Sequence, residues 1–98
     1  MNIEFRDGDL ERLAFDARFT GGFSRDIVKA YRRRIQQIQA APSERDFYAL
    51  KSLHYEKLKG KRDGERSMRL NAQYRLILYI EGHEASRTVV VLSIEDYH

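Results

Sequence analysis

The sequence predicts an α+β domain of order β-α-α-β-β-β, with two N-terminal helices packed on a mainly antiparallel sheet. Three observations predict it. Two stretches in the first half repeat apolar residues at helical spacing. Three stretches in the second half alternate or run continuously apolar, with β-branched residues in the last. Short turn signals separate those three. A pair of amphipathic helices needs an apolar surface to cover, and a three-strand meander supplies one.

The elements follow in order. Asn2–Arg6 alternates polar and apolar and predicts a short strand. Asp7-Gly8-Asp9 is a turn, with Asp9 as the candidate N-cap of the first helix. Leu10, Leu13, Ala14 and Ala17 then fall on one helical face, for a helix of about ten residues. Thr20-Gly21-Gly22 breaks it. Ser24 caps a second helix over residues 24–40, with Asp26 placed to complement its dipole. Ile27, Tyr31, Ile35 and Ile38 form its apolar stripe, and Arg32, Arg33 and Arg34 read as its solvent face. Pro42 lies just beyond its end. Residues 43–52 read as a short irregular or helical piece anchored by Phe47 and Leu50. Strands are predicted at Glu65–Leu70, Tyr74–Ile80 and Thr88–Ile94, joined by corners at Asn71–Gln73 and Glu81–Glu84. The second, mostly apolar, is expected in the middle of the sheet.

Length allows one domain, residues 1–98, and no second core. Six Tyr, five Phe and 42 % hydrophobic residues can fill one core, which argues against disorder. The chain has no Cys, so disulfides, zinc–thiolate sites and thiol nucleophiles are excluded. No apolar run is long enough to cross a bilayer, and Met1–Asp7 lacks the apolar run of a secretory leader. The cytoplasm is the expected setting.

Net charge is +3, but its distribution is uneven. Residues 51–75 carry eight Lys/Arg against three acids, whereas residues 76–98 carry one Arg against four acids. A concentrated positive segment is what a polyanion site requires. No Gly-rich phosphate loop or nucleophile elbow is present. His54, His83 and His98 lack metal-ligand spacing, so no metal and no cofactor is expected. What remains is basic and aromatic: His54, Lys57, Lys59, Lys61, Arg62, Arg66, Arg69, Arg75, Tyr97 and His98. RNA sites combine rings for the base faces with cations for the phosphates. RNA cleavage needs a base for the ribose 2′-OH, an acid for the leaving 5′-oxygen, and cations for the charge that builds at phosphorus. Histidine carries protons near neutral pH. Plainer readings compete. Lys57–Arg62 also reads as a solvated loop and Tyr97-His98 as a chain end. Arg66 and Arg69, three apart, fall on opposite faces of a regular strand.

The stretch from Leu53 to His98 resembles the HigB-like killer toxins of the RelE/ParE superfamily of bacterial type II toxin–antitoxin systems. The resemblance rests on Leu53-His54, on Leu58-Lys59-Gly60-Lys61-Arg62-Asp63-Gly64, on Ser67-Met68-Arg69-Leu70-Asn71-Ala72-Gln73-Tyr74-Arg75, and on the closing Asp96-Tyr97-His98. Two departures stand out. Tyr55-Glu56-Lys57 adds two residues between His54 and the loop, and Arg66 stands where an aromatic often precedes the serine.

The resemblance implies a RelE-like fold and an mRNA interferase, a metal-independent endoribonuclease that cuts messenger RNA in the ribosomal A site. It implies His54, Arg75, Asp96, Tyr97 and His98 as the catalytic set. Lys57, Lys59, Lys61, Arg62, Arg66 and Arg69 are the expected RNA or ribosome contacts, of which the resemblance itself supplies Lys59 and Arg62. It implies as partners the ribosome, its mRNA and a helix-turn-helix, HigA-like antitoxin in a hetero-oligomer. Two other functions stay open on the sequence: a ParE-like gyrase inhibitor that cuts no RNA, and a non-catalytic basic RNA- or ribosome-binding module.

Overall fold

The computed structural model describes residues 1–83 and 86–96. Tyr97 and His98 of the expected catalytic set, and Glu84 of the expected turn, lie outside the described residues.

Among the described residues five strands form one sheet. In chain order they are β1 (Asn2–Phe5), β2 (Glu56–Lys57), β3 (Arg66–Arg69), β4 (Tyr74–Glu81) and β5 (Thr88–Asp96). Their order across the sheet is β1-β5-β4-β3-β2. Only β1, paired with β5, is parallel to its neighbour. β4 is central, as its apolar run predicts. The helices α1 (Gly8–Phe15) and α2 (Arg25–Ala40) connect β1 to the rest, and a short α3 (Arg45–Ala49) follows.

The helices start and stop for local reasons. Asp7, two residues earlier than the expected Asp9, caps α1 by accepting from the Leu10 amide at 2.8 Å. The helix then ends at Phe15, so Ala17 lies beyond it and is exposed. Ser24 caps α2 through the Ile27 amide, as expected. The α2 stripe of Ile27, Tyr31, Ile35 and Ile38 is buried with Leu10 and Leu13 of α1. Opposite them lie Met68, Leu76, Leu78, Val89 and Val91 of the sheet. Fully burying one such side chain contributes about 1.5–3 kcal/mol, so this single layer contact dominates the stability. Phe47 joins this core, whereas Leu50, the other expected anchor, is exposed.

Two arginines expected on the solvent face of α2 are structural. Arg32 donates to the carbonyls of Leu13, Asp16 and Phe19 at 2.8–3.2 Å and holds the α1–α2 connection in place. Arg34 is buried and donates to the Arg69 carbonyl at 2.9 Å. A five-donor guanidinium on a long apolar stem can lie along a core face and still reach carbonyls, which helical periodicity does not reveal. Arg33 alone of the three is exposed.

One irregularity positions the site. The β4–β5 register passes from Ile77 opposite Ser93 to Leu78 opposite Val91, which leaves Leu92 as a bulge. The bulge reverses the side-chain parity of β5. Val89 and Val91 join the core, yet Ser93 and Glu95 emerge on the face away from the helices.

Candidate functional site

The face of the sheet away from the helices carries Ser67 and Arg69 of β3, Arg75 and Ile77 of β4, and Ser93 and Glu95 of β5. Register fixes this: Arg69 lies opposite Arg75, and Arg75 opposite Glu95. The alternate positions Met68, Leu76 and Ile94 belong to the core side.

Arg75 is the centre of this face. Its side chain is only 11 % exposed. Nε donates to Ser67 Oγ at 2.9 Å, and Nη2 donates to the His54 carbonyl at 2.5 Å. Glu56 of β2, opposite Ser67, lies 3.6 Å away and balances part of the charge. A guanidinium clamped by neutral acceptors keeps a fixed direction without losing its charge.

His54 is held by its own backbone. It follows a 3-10 turn, Lys51–Leu53, and adopts φ 47°, ψ 47°. Among the described residues it is the one non-glycine with positive φ. That region disfavours a Cβ and costs of order 1–3 kcal/mol for a non-glycine residue. The conformation turns the carbonyl to Arg75 and sets Nε2 3.4 Å from Arg69 Nη1. Arg69 is tied back by donating to the Asn71 carbonyl at 3.2 Å. His54, Arg69 and Arg75 therefore come together, although residues 54 and 75 are distant in sequence.

The other expected residues divide. Arg62 reaches the same face, in a 3-10 turn over Gly60–Arg62. It pairs with Glu95 at 2.6 and 2.7 Å and with Glu65 at 2.9 Å. The Arg62 guanidinium holds the Glu95 carboxyl below the usual carboxylate range. Lys59 and Lys61, in and before that turn, are exposed. Arg66 points to the helix side. There it donates to Glu44 at 2.8 Å and to the Gly64 carbonyl at 2.6 Å. The opposite-face expectation for Arg66 and Arg69 thus holds. Lys57 lies opposite Arg66 in register, on the edge strand. Asp96 ends β5 opposite Tyr74, one position beyond the Arg75–Glu95 pair, and accepts from Gln73 Nε2 at 3.0 Å. No cluster of three His, Cys, Asp or Glu suited to a metal occurs among the described residues.

Sequence reasoning missed Ser67, Glu56 and Glu95, which hold Arg75 and Arg62. Ser67 sits two residues before Arg69 and so shares its face, a signal that was available. Glu95 had no such signal, since the Leu92 bulge decides its side.

A family model described as the RelE-like toxin of the type II toxin–antitoxin system HigB matches residues 3–98. The chain belongs to this family. It is thus a RelE-like toxin of a type II toxin–antitoxin system. Solved structures share its fold at low identity. The YoeB/ParE toxin from Agrobacterium tumefaciens is 17 % identical, with all of both chains covered and a TM-score of 0.60. A YoeB–YefM complex from Staphylococcus aureus is 20 % identical over 100 % of this toxin and 97 % of that chain, with a TM-score of 0.59. The RelBE2 toxin–antitoxin complex from Mycobacterium tuberculosis is 19 % identical over 98 % and 96 %, with a TM-score of 0.53. A search of curated proteins found no match. No helix among the described residues of the toxin is long and apolar enough to cross a membrane.

Proposed function

We propose that this toxin is a ribosome-dependent mRNA endoribonuclease that inhibits translation and growth by cutting mRNA in the A site. The observation that carries the reading is Arg75. It is a nearly buried cation held on an open sheet face by Ser67 and the His54 carbonyl, with the His54 ring and Arg69 beside it. A fixed guanidinium stabilises charge on a phosphate better than a mobile one, because no reorganisation is needed as the charge develops.

The chemistry needs only a base, an acid and that cation. A base removes the ribose 2′-OH proton, and the 2′-oxygen bonds to phosphorus. The bond to the 5′-oxygen breaks, and an acid protonates that oxygen. His98 or His54 carries the protons. Arg75 steadies the scissile phosphate, Tyr97 stacks on or orients the substrate, and Asp96 orients a neighbouring side chain. Arg69 and the Lys59–Arg62 turn hold the RNA backbone, whereas Lys57, opposite Arg66 in register, shares the helix-side face with it. The partner that restrains the toxin is a helix-turn-helix antitoxin in a hetero-oligomer, and both act in the cytoplasm.

The test is to express the wild type and His98→Ala in bacteria and map mRNA 5′ ends by primer extension. New ends inside translated frames, lost in the variant and when translation is blocked, support the reading. Growth arrest with intact mRNA and double-strand DNA breaks would favour the gyrase-inhibitor reading instead.

A further inference from the structure

On the opposite side of the molecule, the outer surface of α2 and the α1–α2 connection enclose an open groove of about 760 Å³. Arg25, Lys29, Arg32 and Arg33 line it, with Ala17 and Val28 among its apolar residues. None of the four cations is ion-paired among the described residues. Arg32 donates to three neutral carbonyls, which leave its charge intact. No carboxylate among the described residues lines the groove. The contrast with the Arg75 face is direct: there Arg62 and Arg75 each have a carboxylate partner.

We propose that this groove is a second RNA-binding site, which takes the sugar–phosphate backbone of a base-paired RNA. Three features select that occupant. Residues 25, 29, 32 and 33 lie along one side of a helix over two turns, so their charges track a line. A line of unneutralised cations suits a polymer with one charge per repeat. Among the described residues no aromatic or histidine side chain lines the groove, so unstacked bases of a single strand find no ring there to stack on. Val28, at 5 % exposure, offers little apolar surface to anchor the side chains of an acidic peptide. Thr20 and Gln36 add neutral polar side chains of the kind that bond phosphate oxygens.

The site adds to the ribonuclease reading without depending on it, because binding is measured without cleavage. A toxin that grips structured RNA on one side and mRNA on the other would be oriented by the first contact.

The experiment measures binding of the purified full-length toxin to a 16-base-pair RNA duplex by fluorescence anisotropy, from about 50 to 200 mM salt. The variant is the triple Arg25→Gln, Lys29→Gln, Arg33→Gln, whose residues are exposed and make no internal ion pair. Arg32 is left intact because it holds the fold. A charge-matched control carries Arg6→Gln, Arg45→Gln, Lys51→Gln. Each lost phosphate contact lowers the logarithmic salt slope by about 0.9. Wild-type affinity should therefore fall across that salt range about 40-fold more than that of the groove variant, while the control keeps the wild-type slope. Circular dichroism melting checks that all three proteins are folded. Equal slopes for the groove variant and the wild type would overturn the proposal. So would binding of an acidic peptide in the groove with no binding of the duplex.

Discussion

Arg62 and Glu95 form a two-pronged ion pair, at 2.7 and 2.6 Å, that ties the 60–62 turn to the far end of β5. The same carboxylate also accepts from Ser93 Oγ at 2.7 Å. The pair sits beside Arg75 and uses an arginine that RNA would also attract. Removing the carboxylate should then have opposite effects on stability and on RNA binding. Glu95→Gln is expected to cost no more than about 1 kcal/mol at neutral pH, since both partners are partly exposed. It should tighten RNA binding at low salt, because Arg62 is released. The folded-state pKa of Glu95 is depressed, so its contribution is complete above the ordinary value of 4.5 and is lost as the pH falls below it. Melting curves of the two proteins should converge in acid. A variant as stable as the wild type, with unchanged RNA affinity, would show that the pair is incidental.

Arg75 should resist substitution even by lysine. Arg75→Lys keeps the charge but loses the fork that reaches both Ser67 Oγ and the His54 carbonyl. Leaving those acceptors unmatched at a largely buried position costs about 1–3 kcal/mol. Urea denaturation should register that loss, and cleavage should fall by orders of magnitude. A lysine variant with wild-type cleavage would contradict the role given to the fixed guanidinium.

His54 separates backbone from side chain. Its positive φ favours glycine, so His54→Gly should retain or raise stability, by up to about 1 kcal/mol, while keeping the carbonyl that Arg75 needs. The ring is lost, and with it the group beside Arg69. Thermal melting and a cleavage assay should move in opposite directions. Unaltered cleavage by the glycine variant would reduce His54 to a structural turn residue.

Glu44 joins the helix side to the sheet. It accepts from Tyr55 at 2.7 Å and from Arg66 at 2.8 Å, and Arg87 lies 3.4 Å away. Burial opposes its ionisation, but the bonds from Tyr55 and Arg66 outweigh burial and lower its pKa. A depressed folded-state pKa means stability that is present above 4.5 and lost on acidification. Glu44→Ala should cost about 2–4 kcal/mol at pH 7, because it strands two largely buried donors. That cost should shrink toward pH 3. A pH-independent difference would assign the loss to packing alone.

Much of the fold was legible because its signals are local. Ser24, the α2 stripe and the apolar β4 each act within a few residues. Asn71 likewise makes its corner by accepting from the amides of Gln73 and Tyr74. The site was legible only as a list. His54, Arg69, Arg62 and Arg75 lie on one face, but Arg66 does not, because strand parity sends it to Glu44. The partners that hold these residues were not visible. Glu95 depends on a one-residue bulge at Leu92, and Glu56 on a two-residue edge strand too short to leave a pattern. Arg32 and Arg34 looked solvated because periodicity places a Cβ, not the end of a long side chain.

Ribosome-dependent cleavage is tested most directly with purified toxin, ribosomes stalled on a defined mRNA, and single-turnover mapping of the cut. One new 5′ end within the A-site codon is expected for the wild type. None is expected for Arg75→Gln or His98→Ala, although both variants still bind the ribosome. Intact mRNA on toxin-saturated ribosomes, with gyrase supercoiling blocked by the same preparation, would contradict ribosome-dependent cleavage.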